Sequence, residues 1–202
     1  MIVYVETNFI LELAYLRSTS DNCERLIDFA RERKIWLVIP AFALLEARIA
    51  WQGVVKRRTR LHSEVRAELG ELARSRPLAN IGEQSQAFVA SLVDTAQDDR
   101  SRLESAVNSL IAHATVLGIN SKAINAALVV EQRLGFLPQD ALIYGTILQD
   151  LKQTDNRSKL FVTQNAGDFF IPTVQDELAS YGCKLLTKFD TAEAYIRSTL
   201  AG

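Results

Sequence analysis

Four acidic residues stand where strands end or helices begin: Glu6, Glu46, Asp140 and Asp168. Glu6 closes the apolar run Ile2-Val3-Tyr4-Val5, and Glu46 interrupts the helical stretch after a second apolar run. Asp140 falls in the first turn of a nearly continuous apolar segment, and Asp168 follows a third apolar run by a few residues. Carboxylates gathered at one sheet edge repel: at about 4 Å and an effective dielectric near 20, a pair costs about 4 kcal/mol. A cation offsets that repulsion. With oxygen ligands and no His or Cys among them, the expected ion is hard, Mg²⁺ or Mn²⁺. Such an ion polarises a phosphodiester and lowers the pKa of a bound water, which points to hydrolysis. The bland alternatives are local: a carboxylate at a helix start is favoured by the helix dipole, and Asn165-Ala166-Gly167-Asp168 suits a turn.

The elements that must position these acids are legible as alternating apolar runs and helical periodicities. Strands are expected at residues 2–5, 35–39, 160–163 and 182–186, the first two as buried runs of the kind found in a parallel sheet covered on both faces. The first helix starts after Glu6, with Thr7 or Asn8 as its cap. Others are expected over about 22–34, 41–50, 121–134 and 191–200, and Pro138 suits the first turn of one more. In an open α/β sheet the crevice beyond the strand carboxyl ends is where ligands bind, and all four acids fall on that side. Pro77 to Gly82 breaks the pattern, and the amphipathic stretch from about 84 to 113 reads as one long helix or two. The polar loop from 154 to 159 precedes the third of these strands.

Global composition excludes much. The chain has 202 residues, a net charge of −1 and 48% apolar residues, enough for one domain with a large core. The expected organisation is a single domain over 1–202 with a helical elaboration at about 52–134. No run is long enough for a membrane span and the start lacks a basic signal-peptide region, so a cytoplasmic protein is expected. Cys23 and Cys183 have no metal-ligand spacing and read as free thiols. Between Arg48 and Arg76, eight Lys or Arg face three acids, so basic character is local rather than global. Its densest part, Lys56, Arg57, Arg58 and Arg60, has few acidic neighbours in sequence and suits a phosphate backbone such as RNA. Pairs such as Arg60 with Glu64 are the structural alternative. No Gly-rich phosphate loop follows the first strand, which argues against a nucleotide-binding Rossmann domain. His62 and His113 both lie in the helical middle, away from any Ser or Cys nucleophile pattern.

Taken together, four stretches in this order resemble the PIN-domain family of metal-dependent nucleases: Glu6-Thr7-Asn8 after the first strand, Ile39-Pro40 through Leu45-Glu46-Ala47, Gln139-Asp140-Ala141, and Val162 through Phe169. The resemblance covers roughly 1–50 and 134–200. It implies a Rossmann-like parallel sheet flanked by helices, with the long helical insertion added, and cleavage of RNA through Mg²⁺ or Mn²⁺. Carried onto this chain, the catalytic acids are Glu6, Glu46, Asp140 and Asp168, with Glu6, Asp140 and Asp168 on the metal. Thr7 and Asn8 would shape the first loop, while Thr163 and Asn165 would support the last acid or a bound water. Many relatives are toxin halves of toxin–antitoxin pairs and commonly dimerise, so an antitoxin-like partner and a homodimer are implied. One departure stands out: the family usually has Asp where this chain has Glu6, and the extra methylene moves the carboxylate by about 1.5 Å. The alternative reading is therefore a catalytically weak PIN-like module that binds RNA or protein.

Overall fold

The computed structural model describes residues 1–75, 79–154 and 157–201. Arg76, Pro77 and the centre of the 154–159 loop lie outside the described residues. The elements are β1 (Ile2–Val5), α1 (Thr7–Tyr15), α2 (Ser20–Arg31), β2 (Trp36–Pro40), α3 (Ala41–Leu72), α4 (Ala79–His113), β3 (Thr115–Leu117), α5 (Ser121–Leu134), α6 (Pro138–Leu151), β4 (Lys159–Val162), α7 (Ala166–Phe169), α8 (Pro172–Ser180), β5 (Cys183–Leu186) and α9 (Phe189–Ala201).

The strands form one parallel sheet in the order β3-β2-β1-β4-β5. Its middle is fully apolar: Val3, Tyr4, Val5, Ile39, Phe161 and Val162 are buried on both faces by helices, which is why these strands read as unbroken apolar runs. From β1 the chain passes first to β2 on one side and much later to β4 on the other. The carboxyl ends of β1 and β4 therefore flank the topological switch point, where a crevice opens.

Several expected boundaries shift. Strand β2 begins at Trp36 and runs through Pro40, and β4 begins at Lys159 rather than Leu160. Pro40 has no N–H to give, yet its φ of −62° fits the strand end that leads into α3. Strand β3 was not expected: Thr115-Val116-Leu117 is too short to show alternation, and only its pairing with Val38 to Pro40 makes it a strand. The stretch 79–113 is one helix, starting earlier than the expected 84. Helices α3 and α4 form an antiparallel pair, since Arg58 meets Asp99 while residues 44–51 face residues 100–111. Both cysteines are buried and free. Among the described residues no helix is long and apolar enough to cross a membrane.

The helix that carries Asp140 is seated by a close backbone contact. A Cβ placed on Gly145 in the middle of α6 would lie 2.7 Å from the Ala127 nitrogen and 3.0 Å from the Ala126 carbonyl carbon of α5. Backbone cannot swing aside as a side chain can. Gly145→Ala is accordingly expected to cost about 1–3 kcal/mol, the scale of overpacking a filled interior, despite the better helix propensity of alanine. A urea midpoint equal to wild type would show that α5 and α6 separate freely.

Candidate acidic site at the sheet edge

Glu6 is only 3% exposed and is itself the N-cap of α1, a role expected of Thr7 or Asn8. Its extended backbone places the carboxylate over the first turn, where Oε2 accepts from the Asn8 N–H at 2.8 Å. Oε1 accepts from the Thr163 hydroxyl at 3.0 Å, one residue past β4. The longer glutamate side chain thus spans from β1 to the β4 edge. Burial pushes its pKa from 4.5 up to about 7, against the lowering effect of the hydrogen bonds from Asn8, Thr163 and Gln164.

Thr163 is fully buried and works in both directions: its oxygen donates to Glu6 and accepts from the Asn165 N–H at 2.9 Å. That fixes the backbone of Asn165, whose side-chain Nδ2 donates to Asp140 Oδ1 at 3.2 Å. On the other side of Glu6, the Thr7 hydroxyl donates to Glu46 Oε2. Consecutive residues 6 and 7 therefore hold opposite flanks of the crevice, Thr163 on one and Glu46 on the other.

Asp140, half-buried in the first turn of α6, has a pKa pushed up to about 6. Burial is the largest cause, followed by the charges of Asp168 and then Glu46, while the Asn165 hydrogen bond opposes the shift. Asp168 is exposed on α7, and the turn that carries it is anchored by Phe169, which packs edge-on against Phe161 and Phe136 at 5.4 Å. Glu46, Asp140 and Asp168 thus share one electrostatic neighbourhood. Glu6 is linked to it through Thr163, which donates to Glu6 and accepts from the N–H of Asn165, the residue that donates to Asp140. Among the described residues no group of three or more His, Cys, Asp or Glu is gathered closely enough to hold a metal ion as it stands. The donor type nevertheless fits a hard divalent cation: three carboxylates without thiol or imidazole, one of them already resisting ionisation through burial and, after it, the charges of the other two.

Sequence reasoning missed Glu12. It is 2% exposed, accepts from the Thr19 hydroxyl at 2.5 Å and N–H at 3.2 Å, and has Arg17 at 3.6 Å. Thr19 in turn accepts from Gln164 Nε2 at 3.1 Å, so the α1–α2 turn is tied to the same β4 edge. No local pattern marks Glu12 within the apolar helix α1. Of the expected RNA-binding residues, Lys56 and Arg57 are exposed. Arg58 instead turns inward, 2.7 Å from Asp99, and Arg60 pairs with Glu64 at 3.4 Å.

The buried acids set a pH signature. An acid that holds its proton more tightly when folded stabilises the fold fully below its unfolded value, and that contribution is lost as pH rises through the folded value. For Glu6 the window runs from 4.5 to about 7 and is worth about 3 kcal/mol. Asp140 adds a contribution of the same sign, from 3.8 to about 6. In EDTA, the thermal midpoint is expected to fall between pH 5 and 8, and Glu6→Gln is expected to flatten the fall. A midpoint that climbs over this range would contradict the burial of Glu6.

A sequence model described as a PIN domain matches residues 3–169. A chain of VapBC2 from Rickettsia felis, solved bound to a DNA fragment from their promoter, is similar in structure with a TM-score of 0.44 and 13% identity, covering 92% of this chain and 98% of that one. No curated protein matches the chain.

Proposed function

Because the chain belongs to the PIN-domain family, whose members are generally nucleases that use divalent metals, we propose that it is a metal-dependent endoribonuclease. The observation that carries this reading is the convergence of Glu46, Asp140 and Asp168 beyond the strand carboxyl ends, close enough for two of them to raise the third. These three carboxylates would hold Mg²⁺ or Mn²⁺, and a bound ion of this kind polarises the phosphodiester and acidifies an attacking water.

The chain's own residues supply the positioning. Asn165 orients Asp140, Thr7 orients Glu46, and the buried Glu6–Thr163 bond sets the distance between the loops that carry them. Water is the nucleophile, and no protein group forms a covalent bond with the substrate. Glu6 acts in this reading as the strut of the site rather than as a ligand.

A second reading rests on that same residue. With both Glu6 oxygens hydrogen-bonded, the site holds fewer free carboxylates than the usual Asp would give, which favours a catalytically weak module that binds RNA or a protein. An antitoxin-like partner and a homodimer belong to either reading, and exposed Ile49, Ile111, Leu128 and Val129 on α3, α4 and α5 would suit such contacts. The test is cleavage of a mixed RNA pool by purified protein in Mg²⁺, Mn²⁺ or EDTA. Metal-dependent cleavage supports the nuclease, and RNA binding without cleavage in any metal supports the second reading.

A further inference from the structure

Helices α1 and α3 touch at two places. Thr7 meets Glu46 at one. At the other, eight residues on in α1 and twelve in α3, the Arg58 guanidinium lies 5.9 Å from the Tyr15 ring centroid. The two helices run the same way out of the acidic crevice, and a group of cations gathers where they meet again.

Arg17 stacks on the Tyr15 ring at 5.0 Å, and Arg57 is the immediate neighbour of Arg58 on α3. The members of this group are not equivalent. Arg58 is consumed: it donates to Asp99 at 2.7 Å and to Thr95 at 3.3 Å. Among the described residues Arg17 pairs with Glu12 at 3.6 Å, and the Glu12 carboxylate already accepts twice from Thr19. Lys56 and Arg57 are exposed on α3. The Tyr15 hydroxyl is buried and lacks a hydrogen-bond partner among the described residues, so the ring serves as an apolar base for the two guanidinium groups at 5.0 and 5.9 Å. A buried acid neutralises one cation and leaves the outer ones to solvent.

Resting on the nuclease reading above, we infer that Arg17, Arg57 and Lys56 form a second contact surface for single-stranded RNA, which holds the backbone of nucleotides flanking the cleavage position. Lys56 stands ten residues beyond Glu46 on one continuous helix, about 15 Å along its axis. A stacked strand advances about 3.4 Å per nucleotide, so this distance corresponds to about four nucleotides. The second tie, from Thr19 through Gln164, holds the α1–α2 segment that contains Arg17 to the β4 edge, where Asn165 meets Asp140. The substrate class is therefore a single strand long enough to bridge both places. An oligomer of four nucleotides fills one of them and leaves the other empty.

The experiment uses 5′-fluorescein uridine oligomers of 4 and 12 nucleotides, with anisotropy in EDTA for binding and gel assays in Mn²⁺ for cleavage. The wild type is expected to bind the 12-mer more tightly than the 4-mer. In Arg17→Ala/Arg57→Ala that advantage is expected to disappear, and the slope of log affinity against log salt to shrink by about 1.4, the loss of two single-strand phosphate contacts. An unchanged slope in the double variant, or equal affinity of the wild type for both lengths, would overturn the inference. If the length step and the slope change appear but no metal supports cleavage, the nuclease reading falls while this RNA surface stands. Both side chains are at the surface, and a far-ultraviolet spectrum matching wild type establishes that the variant is folded.

Discussion

Asp140→Asn is expected to lower metal-dependent RNA cleavage by about 100-fold or more, the scale on which removing one electrostatic contact at a reacting centre acts. The substitution keeps shape and keeps a partner for Asn165, but it removes the charge on which Glu46 and Asp168 converge. Its effect on stability should have the opposite sign. Ionised Asp140 is held against burial and two like charges, so an amide in its place relieves the fold in the absence of metal. At pH 8 in EDTA the variant should therefore melt no lower than wild type. That pair of results, lost cleavage with undiminished stability, separates a chemical role from a structural one. Cleavage at the wild-type rate would remove Asp140 from the mechanism.

The largest effect on stability is expected away from the acids. Asp99 is 5% exposed and takes Arg58 on one oxygen at 2.7 Å and Arg102 on the other at 2.6 Å. Arg102 also donates through Nε to the Ala14 carbonyl at 2.9 Å, near the end of α1. This one carboxylate thus fastens α3, α4 and α1 together. Asp99→Ala would strand two guanidinium groups that are two-thirds covered. Breaking a buried pair by removing one partner costs about 3–5 kcal/mol, and partial solvation of the arginines places the expected loss at about 3 kcal/mol. Urea unfolding measures it directly. A loss below about 1 kcal/mol would mean that water replaces the carboxylate at little cost.

What the sequence made legible, and what it hid, divides along range. Strands β1, β2 and β4 announced themselves because burial on both faces leaves no polar alternation, and α6 because Pro138 sits in its first turn. The PIN-domain resemblance followed from the order of short stretches around Glu6, Glu46, Asp140 and Asp168. Partners distant in sequence were not legible. Arg58 and Arg57 are adjacent and chemically alike, yet one is spent on an acid 41 residues away and the other faces solvent. The burial of Glu12 depends on Thr19 and Gln164 closing over it, and the capping role of Glu6 depends on a side chain just long enough to reach Thr163. Such choices are made by tertiary packing, which pattern and propensity do not encode.

The pairing of β1 with β4 also sets a schedule for folding. Ile2 lies beside Lys159, and the hydroxyl that binds Glu6 belongs to residue 163. At translation speeds of about 5–20 residues per second, the first strand waits about 8–30 s before its neighbour on that side exists. During that interval β1 can pair only with β2. Contacts of such long sequence separation form late and slowly, because loop-closure entropy precedes any reward. The crevice between Glu6 and Thr163 is therefore assembled only after residue 163 has been made, and a shorter nascent chain carries its acids unassembled.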